Sequence, residues 1–79
     1  MNYDELCSNV SQLLTMYCGL KRISKAELSR KTGLSIRTVL RFMDGSGTIV
    51  KPSVLNSFLA VMGLEVKYYF ENVEAKKYD

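Results

Sequence analysis

The sequence predicts a mostly α fold: four helices over residues 1–63, one β-strand over 64–71 and a polar tail over 72–79. Three observations carry this. In four separate stretches apolar residues recur every three or four positions, and each stretch is bounded by a capping residue, a proline or a glycine. The second and third stretches are short and separated by Gly33, at the place where a chain must reverse between two helices crossed at a steep angle. Beyond Gly63 the pattern changes to strict alternation in LEVKYYF, the signature of a half-buried strand. A chain of 79 residues is one small domain, able to bury only ~60% of its unfolded surface, so a single core is expected.

The first helix is predicted to begin at Asn2, which with Glu5 forms a candidate capping box, and to run to about Cys18 with Gly19 as its stop. Its apolar stripe reads Leu6, Val10, Leu13, Leu14 and Tyr17, with Cys7 and Cys18 beside it as small core hydrophobes. The second helix opens on Ser24, where Ser24 and Glu27 form an S-x-x-E capping box and Ile23 and Leu28 occupy the positions of a hydrophobic staple. Gly33 supplies the turn because, without a Cβ, it adopts positive φ freely, and Ser35 is placed to cap the third helix. Leu28, Leu34, Val39 and Phe42 are the expected contacts between these two helices. On the third helix Val39, Phe42 and Met43 face inward, leaving Ser35, Ile36, Arg37, Leu40, Arg41 and Asp44 outside.

After a Gly45-Ser46-Gly47 loop, Lys51-Pro52-Ser53 opens a fourth helix whose buried face is Val54, Leu55, Phe58, Leu59 and Met62, and Gly63 ends it. The strand places Leu64, Val66, Tyr68 and Phe70 on one face. A lone strand leaves backbone donors and acceptors unpaired, so it requires a partner. Thr48-Ile49-Val50 is the internal candidate; a second copy of the same strand across a two-fold axis is the other, and it makes the protein a homodimer.

Charge is segregated along the chain. Residues 21–51 carry Lys21, Arg22, Lys25, Arg30, Lys31, Arg37, Arg41 and Lys51 against Glu27 and Asp44, whereas residues 1–20 contain Asp4 and Glu5 and no cation. The total of +3 is thus concentrated around the two short helices, the footprint that a phosphate backbone selects. Cys7 and Cys18 are ~16 Å apart along a helix, too far for a disulfide, which implies reduced thiols and a cytoplasmic location. No secretion signal and no apolar run of ~18 residues is read, so no membrane association is expected. An enzyme is not expected either, nor a cofactor or metal: the chain has no histidine, no phosphate-cradling glycine loop and no carboxylate pair at acid/base spacing.

From Lys25 to Gly45 the residues KAELSRKTGLSIRTVLRFMDG resemble the Xre/Cro-like helix-turn-helix family of phage repressors and bacterial regulators, whose pattern runs roughly Q-x-x-L-A-x-x-x-G-hydrophobic-S-x-x-x-I-x-x-hydrophobic-x-x-G. The similarity continues more loosely through Val54 to Met62. Lys25 stands where the family usually has glutamine, Ser29 where it has alanine, and Asp44 where it often has an asparagine. The resemblance implies a compact repressor-like helix-turn-helix domain. A following strand that joins a dimer is similar to antitoxins of the HipB and HigA kind, which adds a toxin protein to the possible partners.

On this reading the partner is double-stranded DNA, with the third helix in the major groove. Arg37 and Arg41 are then the base-reading candidates, since a guanidinium fork spans guanine O6 and N7, and Ile36 and Leu40 meet thymine methyls. Lys25, Ser35 and Thr38, with Arg30, Lys31, Thr48 and Lys51 at the periphery, are candidate phosphate contacts. An ordinary solvated face, with Arg41 paired to Asp44, is the plain reading of the same arginines. The rival function is a helix-turn-helix used as a protein-interaction module, in which Ile36, Leu40 and Tyr69 meet a protein instead of DNA.

Overall fold

The computed structural model describes residues 2–44 and 49–64. Within them the chain is mostly helical, with α1 (Tyr3–Lys21), α2 (Lys25–Thr32), α3 (Ile36–Met43) and α4 (Pro52–Val61), and contains no strand. The expected strand beyond Leu64, the polar tail, Thr48 and the Gly45-Ser46-Gly47 loop lie outside the described residues. Ile49 and Val50 are irregular backbone.

Each helix starts where local chemistry places it. At α1 the Asn2 side chain accepts from the Glu5 N–H at 2.8 Å while the Glu5 carboxylate accepts from the Asn2 N–H at 3.0 Å, a complete capping box. At α2 the box is half formed: Ser24 Oγ accepts from the Glu27 N–H at 3.1 Å, and the reciprocal bond is not made. Ser35 caps α3, its Oγ accepting from the Thr38 N–H at 3.2 Å. Lys51 at the start of α4 makes no side-chain cap, and Pro52 at the first helical position removes one of the donors that would need one.

The end of α1 corrects the expectation. Gly19 does not stop the helix; it is an exposed residue inside it, and the chain leaves three residues later through Arg22, in the left-handed region at φ 57. The Ile23 N–H then returns to the Cys18 carbonyl at 2.9 Å, and Ile23 packs against the core. A non-glycine residue in this region costs roughly 1–2 kcal/mol. The seating of Ile23 and the satisfied Cys18 carbonyl offset that cost, so the helix ends where the next apolar residue is anchored. Gly33 and Gly63 follow expectation, with φ of 75 and 71 after α2 and α4, and the Leu64 N–H bonds the Leu59 carbonyl at 2.9 Å.

Helix α1 is the platform. It packs on α3 and α4, while α2 packs on α3 and α4. Tyr3, Leu6, Cys7, Val10, Leu14 and Cys18 face the core with Leu28, Val39, Phe42, Leu55, Phe58 and Leu59. Leu13, expected inside, is exposed, and Tyr17 is half-buried. The buried face is centred on Cys7, Leu14 and Cys18, and Leu13 falls beyond its edge. The cysteines are free and buried, and burial raises the Cys18 thiol pKa, with Lys25 partly opposing the rise. Phe42 of α3 and Phe58 of α4 stack with ring centroids 4.4 Å apart and planes 7° from parallel, an arrangement worth about 0.5–1.5 kcal/mol beyond the area it buries.

Candidate nucleic-acid interface

The placement of α3 depends on what holds its inner side. Val39 and Phe42 are buried, and the Phe42 ring is held against Phe58. The Phe42 carbonyl belongs to the last turn of α3, where no intrahelical donor remains. Ser11 Oγ, buried on α1, donates to it at 2.7 Å. A hydroxyl on α1 therefore caps the C-terminal end of α3 and fixes that end to the platform. Sequence reasoning missed Ser11, because a serine inside a helix stripe gives no local sign of a distant carbonyl.

The opposite end of α3 is fixed by the turn. Thr32 Oγ1 donates to the Leu28 carbonyl at 2.8 Å and accepts from the Leu34 N–H at 3.2 Å. Ser29 Oγ donates to the Leu34 carbonyl. Ser29, a departure from the pattern that the motif resembles, thus ties α2 to the segment leading into α3. With Gly33 in the left-handed region and Ser35 capping, the segment from Thr32 to Ser35 is cross-linked by side chains on both sides of the reversal.

The outer face of α3 matches the expected assignment. Ile36 and Leu40 are each 44% exposed, and Arg37 and Arg41 are exposed beside them. Residues four apart lie one turn along a helix face, so two rows run side by side, one branched apolar and one guanidinium. Neither Arg37 nor Arg41 forms an ion pair among the described residues, and Arg41 does not pair with Asp44. Among the described residues no carboxylate neutralises this face. Ser35 Oγ and Thr38 Oγ1 lie 3.0 Å apart at its N-terminal edge; both hydroxyls serve the cap and retain hydrogen-bonding capacity toward a partner.

The remaining candidates fall in two places. Arg41, Thr38 and Lys51 line one groove with Ile49, Val50 and Val54, so the structure brings Lys51 to the edge of α3. Tyr3 supports this edge, its hydroxyl donating to the Val50 carbonyl. Lys25 and Arg30 are exposed on α2. Lys31 lines a different groove, with Tyr17, Ile23, Ser57 and Val61, away from the one Arg41 shares with Lys51. Thr48 and the strand residues Val66, Tyr68 and Phe70 lie outside the described residues; Leu64 is exposed.

No protein-family model, curated protein or solved structure matches this chain. Among the described residues, no group of three or more histidine, cysteine, aspartate or glutamate side chains is placed to hold a metal, and no helix is long and apolar enough to cross a membrane.

Proposed function

We propose that this protein is a sequence-specific double-stranded DNA-binding regulator of the Xre/Cro-like helix-turn-helix kind, acting as a homodimeric repressor on an inverted-repeat operator. The observation that carries the reading is the outer face of α3: Arg37 and Arg41 beside exposed Ile36 and Leu40, on a helix pinned at both ends. Base reading needs such pinning, because a bidentate contact to a base edge tolerates little displacement of the guanidinium.

In this mechanism α3 lies in the major groove. Arg37 and Arg41 donate to guanine O6 and N7, Ile36 and Leu40 pack on thymine methyls, and the hydroxyls of Ser35 and Thr38 hold phosphate oxygens that set the register. Lys25 and Lys51 neutralise flanking phosphates, and each such contact steepens the loss of affinity with salt. A role as the antitoxin partner of a toxin protein is compatible with the same DNA chemistry.

Selection from a random duplex pool at about 0.1–0.15 M salt tests the reading, since weak non-specific binding is suppressed there. The expected result is enrichment of an inverted repeat with half-site centres ~10 bp apart or a multiple of that. Absence of enrichment overturns it. The exposure of Ile36 and Leu40 favours one alternative, a protein-interaction module. That alternative predicts a shallow dependence of affinity on salt where DNA binding predicts a steep one.

A further inference from the structure

Among the described residues, α1 carries the longest row of exposed large apolar side chains on any helix. Leu13, Met16 and Leu20 are 45%, 63% and 81% exposed, and their spacing of three and four residues places them in one row. That spacing is the seam along which two helices pack side by side. The chain is 24% charged, yet no charged residue occurs from Leu6 to Leu20. Gly19, about a quarter-turn round the same helix from this row, is open: among the described residues a Cβ built there meets nothing within 4 Å. The fold of one chain thus does not require a glycine there, although a glycine inside a helix costs about 1 kcal/mol relative to alanine.

We infer that this α1 face is an interface between two copies of the chain, with the row Leu13, Met16 and Leu20 packed against its counterpart across a two-fold axis. Charge selects the occupant. A polyanion gains nothing on a face without cations. Across a two-fold axis a surface meets its own image, so any charge near the axis would oppose itself. An uncharged apolar row has no such conflict and buries apolar area from both copies. The inference concerns α1 and does not rest on α3 reading DNA.

The test is sedimentation equilibrium of the full chain without DNA, comparing wild type with Leu20→Arg, Met16→Lys and, in the C-terminal segment, Tyr68→Arg. Wild type is expected at the mass of a dimer. Each α1 substitution is expected to weaken dimerisation at least tenfold while helical circular dichroism and the melting profile of the resulting monomer remain native-like, because both side chains are exposed. A monomeric wild type overturns the inference, and a monomer destabilised by Leu20→Arg shows the face to be covered by the same chain. A dimer disrupted by Tyr68→Arg but not by either α1 variant also overturns it, placing the contact beyond Leu64. The absence of DNA keeps these outcomes separate from the failure of DNA recognition.

Discussion

The outer faces of α3 and α1 both present branched or flexible apolar side chains to solvent, and they differ in what lies between them. On α3, Ile36 and Leu40 alternate with Arg37 and Arg41; on α1, Leu13, Met16 and Leu20 lie in a stretch, Leu6 to Leu20, that carries no charge. Exposed apolar area alone marks an interface without naming its partner. The neighbouring charge names it. Guanidinium groups suit a polyanion whose base edges also offer methyl groups, whereas an uncharged row suits a surface like itself. The two faces also differ in how they are held: α3 is short and tied to its surroundings at both ends, while α1 is the long element that α3 and α4 pack against.

The comparison is tested hardest by releasing α3 from its support. Phe42→Ala is expected to destabilise the fold by about 3–5 kcal/mol, through the cavity beside Phe58 and the lost stacking. A denaturant titration reads this directly, and a loss below 1 kcal/mol would mean that the inner side of α3 is not locked as described. Ser11→Ala leaves the Phe42 carbonyl buried without its donor and should cost about 1–3 kcal/mol. For a domain of this size each kcal/mol lowers the melting temperature by roughly 4–8 °C, so an unchanged melt would remove Ser11 from the support of α3.

The next effects sharpen the assignment of partners. Arg37→Ala should cost about 1–3 kcal/mol on the selected operator and relax preference at one base pair. Uniform weakening over all sequences would make Arg37 a phosphate contact instead. Lys51→Ala should weaken binding without changing sequence preference and reduce the salt slope by about 1; an unchanged slope would detach the groove beside Arg41 from the DNA surface. The smallest effect belongs to α1: under monomeric conditions Gly19→Ala should stabilise the chain by about 0.5–1 kcal/mol, since the site is open and its backbone helical. A destabilised monomer would show that Gly19 serves the chain's own fold.

Much of this organisation is legible in the sequence because its causes are local. Asn2, Ser24 and Ser35 each bond a backbone N–H three residues ahead, so their spacing marks the helix starts. Gly33 and Gly63 occupy the left-handed positions because their neighbours continue in a new direction. Both faces of α3 follow from one short apolar pattern, Val39 and Phe42 against Ile36, Arg37, Leu40 and Arg41. The failures fall where the deciding partner is distant. Gly19 was an apparent stop, but the seating of Ile23 carried α1 on to Lys21. Leu13 fits a plausible stripe, and the packing of α1 against α3 and α4 leaves it outside while taking Tyr3 and Ser11 in.

The sequence by itself determined the helices, their caps, the reversal at Gly33 and the residues that α3 turns outward, because each depends on contacts within about one turn of chain. Only the tertiary structure decided which side of α1 is buried, that Ser11 satisfies the end of α3, that Phe42 meets Phe58, and that Lys51 joins Arg41 while Lys31 does not. Those outcomes depend on side chains brought together from separate helices. Apolar periodicity shows that a helix has a face to bury; the fit against its neighbours decides which residues that face contains.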